Sequence, residues 1–130
     1  MKDLDYWGWE LTVDCSGCND KILSKEDVAQ FSRELVELID MKAYGEPQVV
    51  HFADHDPSKA GFTLVQLIET SSIVAHFVDD YHLMFCNIFS CKPFDPDAAI
   101  AFVKEFFGVK NVHYTFAERR VPVIDEESTA

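Results

Sequence analysis

The sequence predicts an α+β fold: a two-layer sandwich in which an antiparallel β-sheet carries two helices packed on one face. Three observations support this. Six runs are rich in β-branched and aromatic residues and are bounded by turn-forming ones. Two segments show helical spacing of apolar residues instead, each preceded by a capping side chain. The order along the chain, β-α-β-β-β-β-α-β, sets four of the β-runs in succession, which suits an antiparallel sheet.

Trp9–Cys15 (WELTVDC) alternates roughly and ends at the turn-like Ser16-Gly17-Cys18-Asn19, so it reads as a strand. Ser24 then precedes an acidic first turn with Asp27 three residues on, a start resembling a capping box. Val28, Phe31, Leu35 and Leu38 follow at helical spacing, which predicts a helix over about 25–40. Pro47–Ala53 (PQVVHFA) reads as a second strand and His55–Gly61 as a loop. Three β-rich runs come next, Phe62–Ile68, Ser71–Phe77 and His82–Ser90, with Asp79-Asp80 as the turn of a hairpin. Asp95-Pro96 opens the second helix, a carboxylate N-cap followed by proline at the first helical position. Ile100, Val103, Phe106 and Phe107 form its apolar face, and Gly108 stops it. Val112–Ala117 is the last strand, and Asp125–Ala130 is a polar tail expected to fray. No repeat, linker or low-complexity stretch interrupts the chain, so residues 1–130 are expected to form one domain.

Composition narrows the function classes. The 130 residues are 48% hydrophobic and 26% charged, as in a globular protein, and eleven Phe supply one real core. Lys and Arg number 11 against 23 Asp and Glu, a net charge of −12. That field repels polyanions, which argues against nucleic acid and anionic lipid as partners and favours small cationic molecules. No apolar run approaches the ~20 residues of a membrane span. Met1-Lys2-Asp3-Leu4-Asp5 lacks the layout of a signal peptide. A cytoplasmic location with four reduced cysteines is therefore expected.

Cys15-x-x-Cys18 has the spacing of half a metal site, but no second such pair exists. Cys86 and Cys91 stand five apart, an offset that faces opposite sides of a strand. No metal centre is expected, and Cys15 and Cys86 read as small buried hydrophobes. His51-x-x-x-His55 would be a metal pair on a helix, yet it falls on strand and loop. Both histidines read as solvent-facing or loosely bonded, beside the acidic Asp54 and Asp56. The run Thr70-Ser71-Ser72 lies where two β-runs join. Such hydroxyl runs commonly mark a turn. Here, however, His76 follows Ser71 by five residues and Cys91 follows it by twenty, at the end of Asn87-Ile88-Phe89-Ser90-Cys91.

Those spacings carry a resemblance. From about Trp9 to Glu118 the chain resembles the small prokaryotic type of S-adenosylmethionine decarboxylase, a pyruvoyl-dependent family. Leu11-Thr12-Val13-Asp14-Cys15-Ser16-Gly17-Cys18 is similar to its first strand, and Gly61-Phe62-Thr63 precedes the strand leading to Ser71. Ile88-Phe89-Ser90-Cys91 resembles the strand ending in the family's catalytic cysteine, and Phe94-Asp95-Pro96 its Asp-Pro helix start.

The resemblance implies a self-cleaving proenzyme. Ser71 would attack the carbonyl of Thr70 and convert the amide to an ester. Thr63 would hydrogen-bond the oxyanion, and His76 would take the α-proton of residue 71 so that the ester eliminates. Hydrolysis would leave a pyruvoyl group, made from Ser71, as the cofactor and electron sink for decarboxylation. Cys91 would return a proton to the substrate's α-carbon. Asp14 would meet the substrate's positive centre, and Phe52 is the aromatic nearest to the family's adenine-holding segment. The product would feed polyamine (spermidine) synthesis, and a homodimer sharing active-site residues is implied.

The chain departs from the family pattern in two places. Thr70-Ser71-Ser72 stands where the family has Glu-Ser-His, and the 54–60 loop lacks its Phe-rich segment. Ornithine or arginine therefore stays open as the substrate on the same fold, as does an uncleaved relative acting as a binding or regulatory module. Asp14 retains a plainer reading as a solvated, edge-facing residue.

Overall fold

The computed structural model describes residues 8–122, so the expected tail lies outside the described residues. Strand β1 (Gly8–Ser16) leads through a short 3-10 turn (Asp20–Leu23) into helix α1 (Lys25–Leu38). Strands β2 (Gln48–Phe52), β3 (Gly61–Ile68), β4 (Ser71–Val78) and β5 (Leu83–Ser90) follow, then α2 (Pro96–Phe106) and β6 (Asn111–Arg119). The expected order is therefore found, with the 3-10 turn added. Among the described residues the strands form one sheet in the order β2-β3-β4-β5-β1-β6, with every neighbouring pair antiparallel.

Caps fix the helices where the sequence placed their starts. Ser24 accepts from the Asp27 N–H at 3.2 Å, and Asp95 from the Ala98 N–H at 3.1 Å, each satisfying an orphan donor of the first turn. The ends are a matched pair. Met41 N–H donates to the Val36 carbonyl and Asp40 N–H to that of Glu37, a Schellman closure with Asp40 at φ +57°. Val109 and Gly108 repeat it on Lys104 and Glu105. Helix α1 thus stops at Leu38, two residues short of the expected end, because Asp40 takes the left-handed position usually given to glycine.

Alternation sorts each strand onto two faces. Leu11, Val13, Cys15, Leu64, Ile73, Ala75, Phe77, Met84, Cys86 and Ile88 join one core with Phe31, Leu35, Ile100, Val103 and Phe107 of the helical layer. Phe31 lies 4.8 Å from Phe107 and 5.6 Å from Phe102 between ring centroids, locking α1 to α2. Cys15 and Cys86 are buried there as expected, and Cys18 is buried as well; burial pushes Cys15 and Cys86 up to about 12 and Cys18 to about 11. The opposite face of the sheet carries no helix among the described residues, and it leaves Val50, Phe52, Leu67 and Phe85 exposed.

Gly61 opens β3 under a hard constraint: a Cβ there would sit 1.8 Å from the Phe77 carbonyl oxygen. His82, expected to begin β5, lies in the turn at φ +50° instead, because its N–H closes back on Asp79. No helix among the described residues is long and apolar enough to cross a membrane.

Candidate active site

The sheet brings two groups of the expected residues together, at two different places. The first is the β3–β4 hairpin end. Ile68 pairs with Ser71, so Glu69-Thr70 is a two-residue turn, and Thr70 adopts φ +60°. Such turns favour Gly or Asn at positive φ; a β-branched residue there is strained. Next door, β5 ends at Ser90 and the chain bends. The buried Ser90 hydroxyl donates to the Lys92 carbonyl at 2.6 Å and accepts from the Lys92 N–H at 3.2 Å. This bend aims the Cys91 N–H at Ser71, where it donates to Oγ at 2.9 Å. The Cys91 sulfur lies within hydrogen-bonding reach of the Thr70 and Ser71 hydroxyls, which hold its thiol below the ordinary value of 9.0. Thr70 Oγ1 also lies 2.6 Å from the Glu69 carbonyl, so its single proton serves one acceptor at a time.

A cleft of about 440 Å³ opens on this corner, lined by Asp40, Met41, Lys42, Ile68, Glu69, Thr70, Cys91 and Lys92. It adjoins a second, of about 590 Å³, that takes in Tyr44 and Leu67. Gln66 fixes the wall between helix and sheet: its buried amide donates to the carbonyls of Gly45 (3.2 Å) and Leu67 (2.8 Å). Lys92 reaches Asp40 at 3.5 Å across the mouth.

The second group lies on the helix-free face. Thr63 and His76 are cross-strand partners, hydrogen-bonded at 3.1 Å between Oγ1 and Nδ1. His76 and Asp14 line one depression of about 240 Å³, with Thr12, Val74, Phe85, Cys86 and Asn87. Asp14 is partly buried on β1, an interior strand between β5 and β6, so its edge-facing reading is corrected.

These groups do not meet within one chain. Ser71 is buried on the helix-facing side of β4 while His76 is exposed on the other, five residues along, or roughly 17 Å of strand. Phe52 pairs with Gly61 at the far end of β3 from Thr70, and is well separated from Asp14 by the intervening strands. An aromatic that does line the adjoining cleft is Tyr44, 73% exposed, which the sequence leaves unmarked because no periodic pattern includes it. Ser90 and Gln66 were missed too; a polar residue at a buried strand position was the signal available for each.

The acidic loop also differs from expectation. His51 is not loosely bonded: Nδ1 lies 2.5 Å from Asp54 and Nε2 2.7 Å from Asp79. Two carboxylates facing both ring nitrogens favour the imidazolium form, in which both nitrogens donate. The Asp79 hydrogen bond, then that of Asp54, raises the His51 pKa against the opposing effect of burial. His55 is exposed, as expected. Among the described residues no group of three or more His, Cys, Asp or Glu is arranged to hold a metal ion.

The site is thus a serine and a cysteine hydrogen-bonded at the strained hairpin end of a two-layer α+β sandwich. Residues 9–120 match the family described as S-adenosylmethionine decarboxylase, and the chain belongs to that family. Its fold is similar to that of the adenosylmethionine decarboxylase from Aquifex aeolicus VF5, with a TM-score of 0.74 and 20% identity over 96% of this chain and 98% of that one. No curated protein sequence matches the chain.

Proposed function

We propose that the protein is a pyruvoyl-dependent S-adenosylmethionine decarboxylase, made as a proenzyme that cleaves itself between Thr70 and Ser71. The observation that carries this is the placement of Ser71: first residue of β4, directly after a left-handed Thr70, with its hydroxyl oxygen held by the Cys91 N–H. The residue whose carbonyl must be attacked is thus the strained one, by an energy on the order of 1–3 kcal/mol. Its neighbours suit a pyruvoyl group at position 71. Once formed, that group supplies an electron sink for decarboxylation. Cys91, beside it, is placed to deliver a proton, and the adjoining clefts offer room for an adenosyl-sized ligand with Glu69 available to a sulfonium cation. Decarboxylated product would enter polyamine synthesis.

The working form in this reading is a homodimer paired through the helix-free face. Its exposed Val50, Phe52, Leu67 and Phe85 support that pairing, as does the Thr63–His76 pair, which cannot serve Ser71 of its own chain. The partner's Thr63 and His76 would supply the oxyanion donor and the α-proton base.

Intact mass of the purified protein, with carbon dioxide release from S-adenosylmethionine, ornithine and arginine in parallel, tests the reading. Two chains divided at residue 71 are expected, with Ser71→Ala left whole and release from S-adenosylmethionine alone. Turnover of ornithine or arginine alone would change the substrate and leave the chemistry standing. A persistently uncut wild-type chain would remove the enzyme and leave a binding module.

A further inference from the structure

The acyl shift needs a group to take the Ser71 hydroxyl proton. We propose that Cys91, as its thiolate, is the base that takes that proton during self-cleavage, before any role toward substrate. This rests on the pyruvoyl reading above and deepens it.

Two contacts from one residue make the arrangement. The Cys91 backbone N–H donates to Ser71 Oγ at 2.9 Å and so fixes the oxygen. The Cys91 sulfur lies within reach of the same hydroxyl, so the Ser71 proton has a direct acceptor. Thr70, whose carbonyl is attacked, also brings its hydroxyl to the sulfur and stabilises the anion there. His76, the other titratable group of the expected set, is on the opposite face of β4 and out of reach in the same chain. The charged groups facing this corner are Lys92 beside the sulfur, Asp40 paired with Lys92 at 3.5 Å, and Lys42 and Glu69 across the cleft. Lys92 favours the thiolate, in keeping with the lowered pKa of Cys91.

The step balances. Ser71 Oγ bonds to the Thr70 carbonyl carbon, its proton passes to Cys91 Sγ, and the carbonyl electron pair moves to oxygen. As the tetrahedral centre collapses, the bond from that carbon to the Ser71 nitrogen breaks, and the nitrogen takes the proton back from Cys91. An ester and a free amine result, with the thiolate regenerated.

The test is the rate of self-cleavage, read by intact mass on freshly translated full-length chain between pH 6 and 10. Wild type is expected to cleave at a rate that rises with thiol ionisation, with its midpoint below pH 9.0. Cys91→Ala keeps the backbone N–H that positions Ser71, and Cys91→Ser also keeps the side-chain shape. Both are expected to cleave about 100-fold more slowly or worse, without that pH dependence. Thr70→Val, which removes the hydroxyl but keeps the branched shape, is expected to move the pH midpoint upward. Circular dichroism matching that of Ser71→Ala checks each fold. Cleavage of both Cys91 variants at the wild-type rate, or an unmoved midpoint in Thr70→Val, would overturn the base role and leave the pyruvoyl reading intact. Wild-type protein that never cleaves would overturn both.

Discussion

The Cys91 backbone N–H donates to the Ser71 hydroxyl oxygen at 2.9 Å, tying the end of β5 to the first residue of β4. Antiparallel pairing places them side by side: Ser72 is opposite Phe89, so Ser71 falls beside the bend that follows Ser90. A serine next to a strained peptide and a cysteine thus become neighbours although twenty residues separate them.

Separation of Thr63–His76 from Ser71 within a chain leads to a complementation test. Chains carrying Ser71→Ala or His76→Ala should each fail to give a pyruvoyl chain alone. Co-expressed, they form hybrid dimers with one site having both wild-type residues, so the His76→Ala chain should be processed. Mass spectrometry of the mixture decides it; no processing in confirmed hybrids would place the site within a single chain.

Phe85 is 44% exposed on the helix-free face beside Asp14 and His76. Phe85→Glu should weaken pairing by burying a charge at the interface, while leaving the chain folded. Sedimentation equilibrium should show a dimer for wild type and a monomer for the variant at the same micromolar concentration.

Thr70 at φ +60° stores strain that glycine would release. In the uncut Ser71→Ala background, Thr70→Gly should raise stability by about 1 kcal/mol in urea unfolding, net of the unfolded-state entropy that glycine adds. An equal or lower stability would show that the turn is not strained.

His51 is held between Asp79 and Asp54, and its folded pKa lies above the ordinary 6.5. A raised folded pKa means the charged form is favoured by folding. The clamp's contribution is therefore complete below pH 6.5 and lost as pH rises through the folded value. The difference in Tm between Ser71→Ala and Ser71→Ala/His51→Gln should be largest at low pH and shrink at alkaline pH. A difference that is constant across that range would show that charge plays no part.

Gly61 leaves no room for a side chain against the Phe77 carbonyl. Gly61→Ala should cost at least about 3 kcal/mol, or prevent accumulation of folded protein, because backbone must move to admit the methyl group. Thermal unfolding in the Ser71→Ala background measures it.

Local patterns settled most of the architecture. Alternation in Trp9–Cys15 and Ser71–Phe77, the caps Ser24 and Asp95, and the stop at Gly108 all act over a few residues, so they were legible in order. The boundary at Leu38 was not, because the left-handed residue is an aspartate rather than a glycine. Of the candidate site, the sequence supplied the residue types and spacings, and the family resemblance gave Thr63, Ser71, His76 and Cys91 their expected roles.

Tertiary structure decided which of these residues meet. Strand pairing set Cys91 on Ser71 and Thr63 on His76, and the odd offset between Ser71 and His76 put them on opposite faces of β4. Side chains alternate on a strand, so that separation was implicit in the spacing, but only the sheet shows that the helices cover one of those faces. The His51 clamp on Asp79 joins residues 28 apart through the packing of a sheet edge, and no local pattern encodes it. Sequence determined the elements and the chemistry available, because those follow from neighbours along the chain. Register and layer packing determined the site, because contacts across strands depend on where the whole sheet aligns.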